Sequence, residues 1–106
     1  MNETIKIRTV EYVLPVELKN RGMIIFEEAT NKSFFEMNGS AKDTFAYVYA
    51  LLKSGNMDKF HFSFDEFITE MDNDDNILKR YNEISKERKK DKKETAVVKK
   101  NLQETR

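Results

Sequence analysis

The hydrophobic positions of this chain change period along its length. In TIKIRTVEYVLP, Ile5 and Ile7 alternate with polar residues, and Val10, Tyr12 and Leu14 alternate again with the opposite parity. β-Branched and aromatic residues at two-residue spacing predict one strand or a bent hairpin. The two sets are expected to face opposite ways after an imperfect switch. The extended segment should end at Pro15, which has no N–H to give a ladder. From Val16 the spacing becomes helical through Leu18, Gly22, Ile25, Phe26 and Ala29, so a helix is predicted from Val16 to around Thr30–Lys32. Gly22 inside that helix costs about 1 kcal/mol relative to alanine. Close approach of another backbone and a kink both account for it.

After the break at MNGSAKD, Ser40 is a good N-cap, with Asp43 at the third helical position as a weak capping-box partner. Phe45, Val48, Tyr49 and Leu52 form the stripe of a second helix, and Gly55 is its expected stop. A loop through Met57 and His61 leads to SFDEFITEM, where Ser63 and Glu66 make an S-x-x-E capping box. Phe64, Phe67, Ile68 and Met71 should face the core there, and Ile77, Leu78, Tyr81 and Ile84 mark the next helix. Beyond Ser85 the apolar spacing fails, so any helix in KERKKDKKET should fray. The predicted fold is mainly α: a small four-helix domain over residues 1–85, a short N-terminal β-strand or hairpin, and a polar, mobile tail over 86–106.

Composition narrows the function more than the fold. A chain of 106 residues, 39% hydrophobic with eight Phe, supports one domain with a modest core. Cysteine is absent, which excludes a disulfide scaffold and thiolate chemistry and suits a reducing cytoplasm. The longest apolar run, FAYVYALL, is far too short to span a membrane, and no secretory signal pattern opens the chain. The net charge of zero conceals an asymmetry. Residues 86–106 carry nine Lys or Arg against four acids, leaving residues 1–85 net negative.

Candidate chemistry is sparse. In EMDNDDNILKRYNEI, Asp72, Asp74, Asn76 and Glu83 match positions one, three, five and twelve of a calcium loop. The sixth position, where the loop must turn sharply at glycine, is Ile77, and no second loop is present to pair with it. Capping is the better account, with Asn73, Asp74 or Asp75 opening the last core helix. His61 is the only histidine and sits in a loop beside Ser63. The pairs Glu27–Glu28 and Asp65–Glu66 are adjacent, so they point to different helix azimuths. No glycine-rich phosphate loop exists. Neither a catalytic group, a cofactor nor a metal site is expected. RKKDKK in the tail suits weak phosphate binding, yet the tail has no aromatic residue to stack on bases. A small nucleic-acid-binding regulator is therefore the alternative reading, and a solvated tail is favoured over it.

MIIFEEATNKSFFEMNG, residues 23–39, followed by AYVYALLKSGN and FHFSFDEFITEMDND, resembles the small phage tail assembly chaperones. In that family a short strand precedes a helix ending in a sequence like FEE-x-T-G-K-S-F-F. A helix with a Y-x-L-L-type stripe and then an F-x-F-D-E-F helix follow. The likeness covers residues 10–85. Asn31 stands where glycine is common, but asparagine tolerates the same left-handed backbone; the long polar tail is a second departure. The resemblance implies binding rather than catalysis. Such chaperones coat the aggregation-prone tape measure protein and help recruit tail tube subunits in the host cytoplasm, and they are absent from the finished virion. The family often makes a longer form by ribosomal frameshifting. The resemblance leaves self-association open and names no contact residues. Aromatic positions left over from the core, Phe34, Phe35, Phe60 and Phe62, are the expected partner-binding positions, with core packing as the competing reading.

Overall fold

The computed structural model describes residues 3–89. These form a mainly helical domain led by a two-stranded antiparallel hairpin, β1 (Thr4–Ile7) and β2 (Val10–Val13). Ile5 pairs with Tyr12 and Ile7 with Val10 across a two-residue turn at Arg8 and Thr9. Such a turn pairs odd positions with even ones, and cross-strand partners share a face. The parity change in the sequence is therefore the turn itself. Ile5, Ile7, Tyr12 and Leu14 are all buried in one core, so the two sets do not face opposite ways as the spacing suggested.

An isolated hairpin is marginal in water, and its open edges are liabilities. Here side chains from the helical body occupy the edges. On the outer edge of β2, the Asn56 side chain accepts from Val13 N (3.0 Å) and donates to Val13 O (2.9 Å), while Lys59 Nζ donates to Glu11 O (2.7 Å). On β1, Arg80 Nε donates to Thr4 O (3.2 Å). The turn is pinned by a two-pronged Arg8–Glu70 ion pair at 3.0 and 2.8 Å, with Arg8 in left-handed backbone at φ 59°.

Helix α1 spans Asn20–Thr30, starting four residues after the predicted Val16. The delay has a cause at each end of the intervening segment. Arg88 donates to the carbonyls of Leu14 and Pro15 at 2.8 and 2.9 Å, holding the chain outside a helix, and Val16 is exposed. Leu18 matched the helical period yet lies before the helix, and its side chain covers Gly22. A Cβ at Gly22 would run into Leu18 Cδ1 and Cγ and stand 3.2 Å from Ser54 Oγ of the next helix. The close neighbours of the glycine are therefore side chains, not the other backbone that was expected. At the far end Asn31 caps α1 in left-handed backbone at φ 60°, ψ 34°, as expected, its N–H donating to Glu27 O.

Helix α2 (Ala41–Gly55) is the centre of the molecule, packing on α1, β2 and α3. Val48 through Leu52 are buried without interruption, because a helix enclosed on several sides is apolar around much of its circumference. Ser40 caps it as expected, accepting from Asp43 N at 3.2 Å. The helix does stop at Gly55, though not through a left-handed glycine. A Cβ there would lie 2.6 Å from Pro15 Cγ, so the residue lets the strand exit pass close by, and Asn56 makes the cap. Helix α3 (Phe64–Asn73) opens with the predicted capping box, both Ser63–Glu66 bonds being present.

The last helix, α4, covers residues 76–89 of those described. Asp74 Oδ1 accepts from Asn76 N at 3.0 Å and Ile77 is buried, so the acidic run turns the chain between α3 and α4. Ile77 and Ile84 face the core. The helix runs past Ser85, where fraying was expected, because Arg80 and Arg88 anchor it to the open end of the hairpin. The expected mobile tail falls, from residue 90 onward, outside the described residues.

Candidate functional site

The two aromatic pairs singled out in the sequence have different surroundings. Phe60 is 1% exposed and sits at the junction of three elements. Its ring is 5.2 Å from Tyr12 of β2, 5.8 Å from Tyr49 of α2 and 6.0 Å from Phe67 of α3, all in edge or tilted contacts. Phe62 is half-buried beside it, 5.2 Å from the Phe60 ring, and its carbonyl accepts from the Tyr49 hydroxyl at 2.9 Å. Phe60 is a core residue, which corrects its assignment as a partner contact: an enclosed ring offers no surface.

Phe34 and Phe35 lie on a single 3-10 turn, Phe34–Glu36, between α1 and α2. Phe34 points inward, its ring 5.5 Å from Phe26, while Phe35 is 86% exposed. The turn is tightly fastened. Phe34 N donates to Glu27 Oε2 (2.9 Å) and Phe35 N to Ser33 Oγ (3.2 Å). Behind it Asp43, expected to close a capping box on Ser40, instead accepts from Asn38 N (2.8 Å) and pairs with Lys32 (2.6 Å). Ser40 N donates to Asn38 Oδ1 instead (2.9 Å). The segment from Lys32 to Ser40 is thus tied down at both ends. Ile24, one helical turn before Glu27 on α1, is also exposed, as is Met37 just after the turn. Phe35 is thus an exposed aromatic side chain on a turn held by side-chain hydrogen bonds, with Phe34 as the ring it touches.

A second feature was not visible as a site in the sequence. The apolar spacing places Phe45, Ile68, Met71 and Leu78 on core stripes, but they are half-buried and floor a groove of about 210 Å³ between α2, α3 and α4. Asp72, Asp75 and Lys79 stand on its rim. A shallower hollow lies where Met37 and Asn38 meet Tyr47 and Tyr81. His61 is exposed, and among the described residues no three His, Asp or Glu side chains cluster as metal ligands would. No described helix is long and apolar enough to cross a membrane.

Among the described residues three carboxyls are held below their ordinary values. Asp43 is stabilised as the anion chiefly by the Asn38 N–H and then by Lys32, against the cost of burial. Glu66 is lowered by the Ser63 N–H first, and Glu70 by its hydrogen bond to Arg8. A lowered folded-state value means the stabilisation is complete above the unfolded value and is lost as pH falls through the folded one. Urea midpoints should therefore be level near neutrality and fall once pH drops below about 4.5. Asp43→Asn should have a lower midpoint at pH 7 and a flatter acid limb. An unchanged limb in that variant would assign the acid sensitivity to other groups.

These elements define a small, mainly helical domain with an N-terminal hairpin, an exposed aromatic turn and an apolar groove. No protein-family model matches the chain, and neither a curated protein nor a solved structure matches it.

Proposed function

We propose that this protein works by binding other proteins, as a phage tail assembly chaperone that holds the tape measure protein, and engages tail tube subunits, in the host cytoplasm. The observation that carries the binding reading is Phe35, 86% exposed on a turn fixed by Glu27 and Ser33. A rigid aromatic side chain loses little conformational freedom when a partner covers it, so it is well suited to anchor an interface. The tail assembly role rests on the resemblance of residues 10–85 to that family. The strand β2 ahead of α1 and the left-handed Asn31 turn agree with the local features of the resemblance.

Inspection of the gene neighbourhood for tape measure and tail tube genes, and co-expression with their products, tests both levels. The protein is expected to keep the tape measure protein soluble and to co-purify with it. Phe35→Asp should weaken that association by about 30-fold, as for loss of a central aromatic anchor, with an unchanged circular dichroism spectrum and melting temperature. A neighbourhood lacking such genes, or no association with their products, would overturn the tail assembly role. Full association by the Phe35→Asp variant would remove Phe35 from the contact.

A further inference from the structure

We infer that the groove between α2, α3 and α4 is a docking site for this chain's own C-terminal segment, residues 96–102, AVVKKNL. The inference does not depend on the tail assembly reading. Phe45, Ile68, Met71 and Leu78 form an apolar floor that no described element covers. Asp72 and Asp75 edge the groove, with Lys79 as the one cation among its lining residues. The surrounding stretch, residues 65–75, holds six acids and no base. Three of those acids are already engaged: Glu66 in the capping box, Glu70 with Arg8, and Asp74 with Asn76 N. Asp72 and Asp75 are exposed on the rim.

The segment has the complementary chemistry. Val98 and Leu102 are four residues apart, the spacing of one helical face, and Lys99 and Lys100 lie between them. Residues 90–106 contain no other apolar cluster. Reach is sufficient. Leu78 lies about 16 Å back along α4 from residue 89, and the six polar residues 90–95 span up to about 20 Å when extended. Tethering also gives the segment an effective concentration in the millimolar range, so a weak apolar contact with charge complementarity suffices to hold it. A partner of similar basic, apolar character would have to displace it, which makes the groove a competed site.

Because the chain has no cysteine, Gln103→Cys places a unique nitroxide label next to the segment in the full-length protein. Methyl signals of Ile68, Met71 and Leu78 should lose most of their intensity, while Ile24, outside the groove, keeps its own. Asp72→Lys with Asp75→Lys should restore the lost signals, and adding Lys99→Asp with Lys100→Asp should abolish them again. A second arm, Val98→Ser with Leu102→Ser, should also restore them. Even, weak broadening over the whole surface would overturn the inference. So would broadening that survives both sets of substitutions, or broadening that appears when the label is carried only by a second, NMR-silent copy.

Discussion

Asn56→Ala is expected to lower stability by about 3 kcal/mol, because the side chain removed serves three backbone groups at once and an unpaired buried polar group costs about 1–3 kcal/mol. Its Oδ1 accepts from Val13 N, and its Nδ2 donates to Val13 O and to Leu52 O at 2.9 and 2.7 Å. The residue is buried, so water replaces these bonds poorly, least of all at the enclosed Leu52 carbonyl. The loss also reaches further than three bonds. Asn56 is the cap of α2, and its own carbonyl accepts from Lys59 N and Phe60 N, turning the chain so that Phe60 enters the core. The same side chain substitutes for a third strand along β2, so its removal frees the hairpin edge. The urea midpoint should drop by ~2 M with an unchanged slope. Asn56→Asp separates the donors from the acceptor. A carboxylate still accepts from Val13 N but faces two carbonyls, so at neutral pH it should be no more stable than the alanine variant. As the carboxyl protonates it regains one donor and should recover in part. A neutral-pH Asp variant as stable as wild type would show that the two Nδ2 bonds contribute little.

The position of Asn56 shows where reading the sequence succeeds and where it stops. Signals carried by neighbouring residues were legible. Ser40 and Ser63 cap the helices they precede, Asn31 ends α1 in the left-handed region, and Ile77 and Ile84 face the core at helical spacing. What failed involved partners far apart in the chain. Asn56 looks like an ordinary residue after a helix, because its partner Val13 is 43 residues away. Arg88 falls in a run of lysines with no apolar period, yet its guanidinium reaches the Leu14 and Pro15 carbonyls, 74 and 73 residues away. The parity change in the hairpin misled for a related reason: periodicity records alternation along a strand but not which strand pairs with which. The groove was hidden because an apolar stripe looks the same whether a neighbour covers it or leaves it half open. Phe45, Ile68 and Leu78 carry the pattern of core residues and line a concavity.

Two of the phenylalanines expected to meet a partner, Phe60 and Phe35, should separate into opposite classes by measurement. Phe60→Ala is expected to cost about 4 kcal/mol, the range for emptying a buried aromatic site, whereas Phe35→Ala should change stability by less than about 0.5 kcal/mol. The difference follows from what each ring touches. Phe60 contacts Tyr12, Tyr49, Phe62 and Phe67, so its loss leaves a cavity where hairpin, α2 and α3 meet. Each edge-on or tilted aromatic pair adds about 0.5–1.5 kcal/mol beyond burial, and four cannot be re-formed by relaxation of the rest. Phe35 touches one ring, Phe34 at 5.7 Å, and otherwise faces solvent. Phe34→Ala should fall between them, since its ring covers Phe26 from the half-buried side. In a binding assay the order should invert for the end members: Phe35→Ala loses affinity in a fully folded protein, while Phe60→Ala loses it only in proportion to the fraction unfolded. Chemical denaturation read beside titration at fixed temperature distinguishes the two, because stabilising Phe60→Ala with a compatible osmolyte should restore binding and the same addition should leave Phe35→Ala unchanged. If Phe60→Ala bound weakly while fully folded, its ring would belong to a surface that opens on contact, and the core assignment would fall.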